Sequence, residues 1–176
     1  PLLGDFVLSM PRGATIVYPK DAAMIIGVAD VFPGAKVIEA GVGSGALSIS
    51  LLRAIGKDGK LCSFERREDF AENAKSNITN YFGGAPANWS LDIGSVQEKE
   101  FSESFDRVIL DMLAPWECIE LSAKVLRPGG VFMAYVATTT QLSATAEALK
   151  EDGHFTEPES FESMLRGWHH EGLAVR

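Results

Sequence analysis

Residues 39–45, Glu-Ala-Gly-Val-Gly-Ser-Gly, decide how this chain folds. An apolar run at residues 36–40 predicts a buried strand, and the periodic run at residues 44–55 predicts a helix. Glycines at positions 41, 43 and 45 permit a tight turn and let the backbone come close to a ligand, while the helix start presents free N–H groups. The order strand, glycine turn, helix therefore predicts half of a βαβ unit with a ligand-binding loop. A purely structural turn is the alternative that the glycines leave open.

Outward from this loop, strand and helix patterns alternate along most of the chain. Further strands are predicted at residues 60–65, 89–91, 106–110 and 131–137, and further helices at residues 21–32, 67–80, 116–126 and 141–151. Residues 155–176 carry two extended stretches around Gly167 and predict an antiparallel hairpin. The alternation predicts an α/β, doubly wound, mainly parallel sheet with helices on both faces, which the hairpin closes at seven strands.

Length and composition favour one well-buried domain, because the chain has 176 residues of which 46% are hydrophobic. Sixteen basic against twenty-four acidic residues give a net charge of −8, the wrong sign for gripping phosphate over the whole surface. A local basic patch, or a segment outside this chain, is still compatible with a nucleic-acid partner. Without a membrane-length apolar run or a signal-peptide pattern, the expected location is cytoplasmic. Cys62 and Cys118 lie in apolar stretches and are expected to be buried thiols.

Four acidic residues stand where the predicted strands end. Glu39 closes the first strand, Glu65 the second, Asp92 follows the third and Asp111 follows the fourth. In doubly wound sheets the ligand crevice lies outside the carboxyl ends of the strands, so all four are expected at one rim. Glu65 is placed to accept hydrogen bonds from ribose hydroxyls, and Asp92 from an adenine amino group. For either residue alone, a solvated acid at a strand end is an equally good interpretation.

The choice of cofactor depends on charge. NAD presents a pyrophosphate, whereas S-adenosylmethionine presents an ammonium and a sulfonium. A rim with four carboxylates suits the cation better, and a closing antiparallel hairpin is typical of class I methyltransferases rather than of nicotinamide-binding domains. The sequence therefore predicts S-adenosylmethionine as the cofactor and requires no metal.

Several motifs together resemble the bacterial tRNA adenine-58 N1-methyltransferases. The segment Asp-Met-Leu-Ala-Pro-Trp at residues 111–116 is similar to the active-site segment of that family, and it is more specific than the glycine loop. The likeness covers essentially the whole chain. The other matching stretches are Met-Pro-Arg at 10–12, Tyr-Pro-Lys-Asp at 18–21, Tyr-Val-Ala-Thr-Thr-Thr-Gln at 135–141, Arg-Gly-Trp at 166–168 and Gly-Leu-Ala-Val-Arg at 172–176.

The resemblance implies a class I, Rossmann-like catalytic domain over residues 1–176 that methylates tRNA and forms a homotetramer. It also implies that the family's small N-terminal β domain and last C-terminal strand are missing here. The expected catalytic residues are Asp111, which would accept a hydrogen bond from the adenine N6 amino group, and Tyr135, which would pack on the target base or bound the pocket. The residues expected to bind the cofactor are Thr15, Glu39, Gly41, Gly43, Ser44, Gly45, Ala46, Leu47, Glu65, Asp92, Ile93 and Asp111.

Other residues carry weaker hypotheses. Arg12, Lys20 and Arg166 are candidate RNA contacts, although each is also compatible with a solvated surface charge. Pro115 and Trp116 are interpreted as supports of Asp111 or as ordinary packing. The residues at 169 and 170, both His, lack a carboxylate or cysteine companion at catalytic spacing, so packing or surface roles are favoured.

Two other functions stay open. The first is a class I methyltransferase acting on a protein carboxylate or a small molecule, which the acidic surface favours. The second is a non-catalytic RNA-binding subunit of a methyltransferase pair. That subunit would be expected to have a degraded glycine loop and a replaced aspartate, whereas Gly41, Gly43, Gly45 and Asp111 all stand in this chain.

Overall fold

The computed structural model describes residues Pro1–Val175. Its central sheet has five parallel strands in the order β3-β2-β1-β4-β5. These strands are β1 Lys36–Ala40, β2 Lys60–Glu65, β3 Trp89–Ile93, β4 Phe105–Leu110 and β5 Leu126–Ala134. The helices are α1 Leu3–Ser9, α2 Pro19–Val28, α3 Ala46–Ile55, α4 Glu68–Phe82, α5 Ile119–Val125 and α6 Thr139–Asp152. Short 3₁₀ turns lie at Val96–Glu98 and Pro115–Cys118.

The sheet separates two hydrophobic cores, one on each face. Val37 packs with Ile49 of α3 and Ile78 of α4, whereas the next residue, Ile38, packs on the other face with Val125 of α5. Since successive side chains of a strand point to opposite faces, a continuous apolar strand requires cover on both sides. The predicted doubly wound, parallel arrangement is therefore confirmed. The strand order reverses between β1 and β4 at the carboxyl end of β1, where a ligand crevice is expected.

The prediction of one seven-stranded sheet was wrong. The C-terminal hairpin consists of β6 His170–Glu171 and β7 Ala174–Val175, which pair only with each other in a separate two-stranded sheet. All four of these residues are exposed. His170 pairs with Val175 and Glu171 with Ala174, so each face of the hairpin carries a polar side chain instead of a continuous apolar surface. Arg176, the last residue of the predicted hairpin, lies outside the described residues.

Several boundaries also differ from the prediction. The helix predicted at 116–126 is divided into the 3₁₀ turn and α5, and β5 begins at Leu126 instead of residue 131. The Pro-Gly-Gly run at 128–130 lies inside β5, where a register shift opposite Phe105 and Arg107 accommodates it. Because β5 ends at Ala134, Tyr135 follows the strand directly.

At the N-terminus, α1 was not predicted, and α2 begins at Pro19 with Asp21 in its first turn instead of at the cap. Pro at the first helical position is favoured because its missing N–H would have no partner there. Strand β3 continues to Ile93, so Asp92 lies within the strand. Within the described residues, no helix combines the length and the apolar character needed to cross a membrane.

Candidate active site

The glycine loop passes very close to the end of β4. Gly41 has a φ of +86°, and a Cβ placed on it would stand 1.8 Å from the carbonyl oxygen of Asp111. Only glycine combines this backbone conformation with such a close approach. The loop then turns through Gly43 and Gly45 into α3. Ala46 and Leu47, at the start of that helix, have buried side chains, so they offer the site their backbone.

An N-terminal segment, residues 11–15, lies over this loop. The Ser44 hydroxyl accepts hydrogen bonds from the N–H groups of Gly13 (3.2 Å) and Ala14 (3.3 Å). The buried Asn77 amide of α4 donates to the carbonyls of Pro11 and Ser44, both at 2.9 Å. Asn77 was not among the residues predicted from the sequence to belong to the site. A polar residue on the inward side of α4, beside Ile78, is the signal that identifies it.

Thr15 belongs to the same segment. Its carbonyl oxygen lies 4.0 Å from the position that a Cβ of Gly43 would take. The Thr15 side chain is exposed above the loop. The structure thus places this predicted cofactor residue beside the loop.

Glu65 links the end of β2 to the loop. One carboxylate oxygen accepts from the Gly43 N–H at 2.9 Å and the other from the Arg67 N–H at 3.1 Å. The residue is 8% exposed. Each oxygen retains lone-pair capacity for a further donor, which a ribose hydroxyl can supply.

Glu39 is completely buried under the loop. Its carboxylate accepts from the hydroxyls of Ser48 (2.8 and 2.9 Å) and Ser63 (2.7 Å), and the indole of Trp89 donates to Ser63 at 3.0 Å. Burial raises the pKa of Glu39 to about 7, and the charges of Asp111 and Glu65 add to the increase. Its partners are all protein groups, so it ties β1, α3 and β2 together under the site. A role in cofactor binding for Glu39 stays a prediction.

Asp111 follows β4 immediately, and its N–H donates to the Ala40 carbonyl at 2.9 Å. Burial raises its pKa to about 6, and the nearby charge of Glu65 contributes to the increase. The two carboxylates thus repel each other across the glycine loop. A cation placed between them would offset both the burial and the mutual repulsion, whereas an anion would add to the repulsion.

Asp92 and Ile93 lie farther from this pair, at the end of the outer strand β3. The Asp92 carboxylate is 48% exposed and pairs with Lys99 at 3.0 Å. Ile93 lies opposite Glu65 in the register and is exposed. The four predicted acids therefore share the carboxyl edge of the sheet, but Asp92 has a basic partner there.

Tyr135 lies next to Asp111 because the two residues follow neighbouring parallel strands. The Tyr135 N–H donates to the Leu110 carbonyl at 2.8 Å. Its hydroxyl donates to the Asp21 carboxylate at 3.1 Å. Burial, the charge of Asp21 and this hydrogen bond raise the pKa of Tyr135 to about 12, so the phenol keeps its proton at neutral pH.

The position of the segment 111–116 is fixed by packing and by hydrogen bonds to residues outside it. Pro115 is buried at the start of its 3₁₀ turn, and the Gln141 Nε2 donates to the Leu113 carbonyl at 2.9 Å. The Gln141 Oε1 accepts from the N–H groups of Ala137 and Thr138, both at 3.1 Å. Gln141 was noted only as part of the resemblance, and the structure shows that it anchors the Asp111 segment.

The candidate RNA contacts all have partners within the chain. Lys20 bonds Asp21 at 2.6 Å, the Arg12 guanidinium donates to the Leu8 carbonyl, and that of Arg166 lies 4.9 Å from the Trp168 ring centroid. Their contact with RNA stays a prediction.

The remaining residues singled out from the sequence lie elsewhere. Cys62 and Cys118 are buried free thiols, as expected. His169 and His170 are exposed in the C-terminal segment. In the part of the chain that the structure describes, no three His, Cys, Asp or Glu residues are grouped so that they could hold a metal ion.

Known proteins are similar to this chain in sequence and in fold. A curated relative from Thermus thermophilus, named tRNA (adenine(58)-N(1))-methyltransferase TrmI, is 36% identical over 81% of this chain and 55% of its own length. A Methanocaldococcus jannaschii relative, named for adenine 57 and adenine 58, is 31% identical over 87% of this chain and 63% of its own. The chain thus spans about half to two thirds of the length of these relatives.

Two solved structures match every part of the chain. A SAM-dependent O-methyltransferase from Thermotoga maritima gives a TM-score of 0.92 at 34% identity and is covered over 65% of its length. A tRNA (m1A58) methyltransferase, TrmI of Aquifex aeolicus, gives 0.89 at 26% identity and is covered over 69%. The family model described as tRNA methyltransferase complex GCD14 subunit matches residues 5–174. With the resemblance in its motifs confirmed in this way, the chain belongs to the GCD14 tRNA methyltransferase family.

Proposed function

We propose that this chain transfers a methyl group from S-adenosylmethionine to N1 of adenine 58 in tRNA. The observation that carries the proposal is that Glu65 and Asp111, whose charges act on each other, both border the glycine loop, Glu65 at Gly43 and Asp111 at Gly41. Family membership and the names of the relatives support the choice of substrate.

The cofactor would occupy the edge of the sheet at the glycine loop. The absence of side chains at positions 41, 43 and 45 lets the cofactor approach the backbone, and Glu65 accepts hydrogen bonds from the ribose hydroxyls. Once the Asp92 carboxylate separates from Lys99, it accepts a hydrogen bond from the adenine amino group of the cofactor. Ile93 covers the adenine ring. When bound, S-adenosylmethionine supplies an electrophilic methyl group on a positively charged sulfur.

Asp111 positions the target base. Above its pKa of about 6 the carboxylate is ionised and accepts a hydrogen bond from the N6 amino group, which aims N1 at the methyl group. The negative charge also stabilises the positive charge that the base acquires. Because N1 has its own lone pair, placement contributes more than a strong base would. Tyr135 bounds the pocket on the β5 side.

The base must leave its stack to reach Asp111, at a cost of about a few kcal/mol. Arg12 and Arg166 are the proposed phosphate contacts that help to offset this cost, with other copies of the chain in an assembly contributing more. The homotetramer and the cytoplasmic location stay predictions.

One observation favours a second candidate function. The Thermotoga structure is described as an O-methyltransferase, and a net charge of −8 suits a substrate without phosphates. In that case the same cofactor site would serve methyl transfer to an oxygen nucleophile.

Labelled methyl transfer tests the proposal. Unmodified tRNA, the same transcript with guanine at position 58, and a mixture of acidic peptides and small hydroxyl compounds are compared as acceptors. We expect label only in the first, and at least a hundredfold less with Asp111→Ala than with the exposed-site control Asp5→Asn. Label in the peptides or hydroxyl compounds instead would establish the second function. Calorimetric titration with S-adenosylmethionine and with NAD tests the cofactor separately. Binding of NAD but not of S-adenosylmethionine would overturn both candidate functions.

A further inference from the structure

Asp21 joins three distant parts of the chain next to the proposed active site. It lies in the first turn of α2, and its side chain is 13% exposed. Its carboxylate accepts from the Tyr135 hydroxyl (3.1 Å), from the Ser163 hydroxyl of the C-terminal segment (2.9 Å) and from the Lys20 ammonium (2.6 Å). Neither the glycine loop nor the resemblance assigns a role to this residue.

The two oxygens of Asp21 have different partners. Lys20 and Ser163 share Oδ1, whereas Oδ2 accepts from Tyr135. Burial opposes ionisation of Asp21, but the hydrogen bonds from Lys20, Ser163 and Tyr135 outweigh it and lower its pKa, so the carboxylate is ionised at neutral pH. An ionised carboxylate only accepts hydrogen bonds, so the Tyr135 hydroxyl is the donor.

Tyr135 has a second carboxylate in its surroundings. Asp111 follows the neighbouring strand, and its negative charge also acts on the Tyr135 phenol. The hydroxyl has one proton to donate. If the Tyr135 hydroxyl donated its hydrogen bond to Asp111 instead of Asp21, it would occupy the carboxylate that the adenine amino group needs.

We infer that Asp21 is a positioning residue: it draws the Tyr135 hydroxyl to itself and thereby leaves the Asp111 carboxylate free for the substrate amino group. Lys20 and Ser163 fix the position of the Asp21 side chain. The start of α2 and the C-terminal segment therefore both influence Tyr135 and Asp111. The inference rests on the proposed function for its meaning in catalysis, while the Asp21–Tyr135 bond itself does not.

A double-mutant cycle tests the inference. Asp21→Ala is expected to lower kcat by about ten- to a hundredfold, the range for one charge-assisted hydrogen bond, because the released Tyr135 hydroxyl can occupy Asp111. Tyr135→Phe keeps the ring but has no hydroxyl to donate to Asp111, so its loss of kcat is expected to be smaller. The affinity for S-adenosylmethionine is expected to stay unchanged, because the hydrogen bonds of both side chains go to residues outside the glycine loop. The double variant is expected to be faster than Asp21→Ala and about as fast as Tyr135→Phe, because without the Tyr135 hydroxyl Asp21 has nothing to hold away from Asp111. Losses that multiply would overturn the inference.

Two further variants separate positioning from a general structural effect. Asp21→Asn keeps an oxygen acceptor, so kcat is expected to recover part of what Asp21→Ala loses. Asp5→Asn removes an exposed acid from the first turn of α1, the equivalent place on another helix, and is expected to leave kcat unchanged. If Asp21→Asn is as slow as Asp21→Ala, acceptance from Tyr135 is not the function of Asp21.

The last readout does not need activity. The pKa of Tyr135 is measured from phenolate absorbance during rapid alkaline titration, with Tyr135→Phe subtracted to remove Tyr18 and Tyr81. It stands at about 12 in the parent chain and is expected to fall in Asp21→Asn, because the charge and the bond of Asp21 both raise it. An unchanged pKa of Tyr135 in Asp21→Asn would contradict the inference. A parent chain that titrates as expected but never methylates tRNA would contradict only the proposed function.

Discussion

Asp111 and Glu65 share the feature that governs this site: each carboxylate is largely withdrawn from water and has another negative charge nearby. Such an arrangement is unfavourable for folding and favourable for a cationic ligand. For Asp111 the sign is clear. A pKa raised to about 6 means that its contribution to stability is present at low pH and is lost as the pH rises through that value. Activity should show the opposite trend, because only the ionised form accepts a hydrogen bond.

The first prediction is a pH profile. Methyl transfer to tRNA is expected to fall about tenfold per pH unit below the pKa of Asp111, near 6, because the protonated carboxyl no longer accepts from N6. Initial rates between about pH 5 and pH 8 at saturating cofactor measure this. Asp111→Asn is expected to be slow throughout and to lose this dependence. A parent profile that is flat across the range would show that the ionisation of Asp111 is not needed.

The second prediction concerns the close approach at Gly41. Gly41→Ala is expected to destabilise the fold by more than about 3 kcal/mol, because the new Cβ would stand 1.8 Å from the Asp111 carbonyl at a positive φ. Gly27→Ala in α2, with nothing within 4 Å of the added Cβ, is the control and should stabilise by about 0.5–1 kcal/mol. Urea unfolding distinguishes the two, and equal effects would refute the tight contact.

At the scale of elements, the active-site segment depends on α6. Residues 111–116 carry Asp111 but form no helix or strand before the turn at Pro115. Gln141 both completes the capping box of α6 with Thr138 and donates to the Leu113 carbonyl. One side chain thus stabilises a helix start and fixes the loop that contains Asp111, the proposed catalytic residue.

The third prediction separates these two roles of Gln141. Gln141→Glu keeps the acceptor that caps α6 but loses the donor to Leu113, so stability is expected to stay nearly unchanged while kcat falls. Gln141→Ala loses both and should also destabilise the chain by about 0.5–2 kcal/mol. Thermal unfolding and steady-state kinetics of the two variants measure the difference. Full activity in Gln141→Glu would show that the Leu113 bond does not position the loop.

For the whole molecule, net charge limits how the proposed RNA substrate is bound. The net charge is −8, and Lys20, one of three candidate RNA contacts, is already committed to Asp21. Few phosphates can therefore be neutralised by one copy of the chain. Under the proposed function, selectivity for tRNA is therefore expected to come mostly from its shape and from the unstacked target base.

The fourth prediction is a weak salt dependence. With two phosphate contacts, from Arg12 and Arg166, binding of tRNA to this chain is expected to weaken about tenfold between 50 and 200 mM salt. Fluorescence anisotropy with labelled tRNA measures it. Arg12→Ala should reduce the salt slope by about one contact, whereas Arg53→Ala, in the last turn of α3, should not. A loss of about a thousandfold would instead indicate binding over a broad surface.

Much of the fold and part of the site were predictable from local pattern. β1 and β2 have the predicted bounds, and the glycine loop lies between β1 and α3 as expected. The predicted bounds of an element were wrong where residues elsewhere in the chain determine its structure. The run Pro128-Gly129-Gly130 normally marks a turn, yet it lies within the bounds of β5, as a bulge between Leu126 and Val131, which both pair with β4.

By itself, the sequence determined the parallel sheet, the glycine turn and the meeting of strand-end acids at one edge, because strand periodicity and glycine conformation are properties of neighbouring residues. Only the tertiary structure decided that Glu39 is buried beneath the loop, that the hairpin stands apart from the sheet, and that Tyr135 donates to Asp21, 114 residues away. Hydrogen bonds between distant segments depend on how helices and strands pack against one another, and no local pattern carries that information.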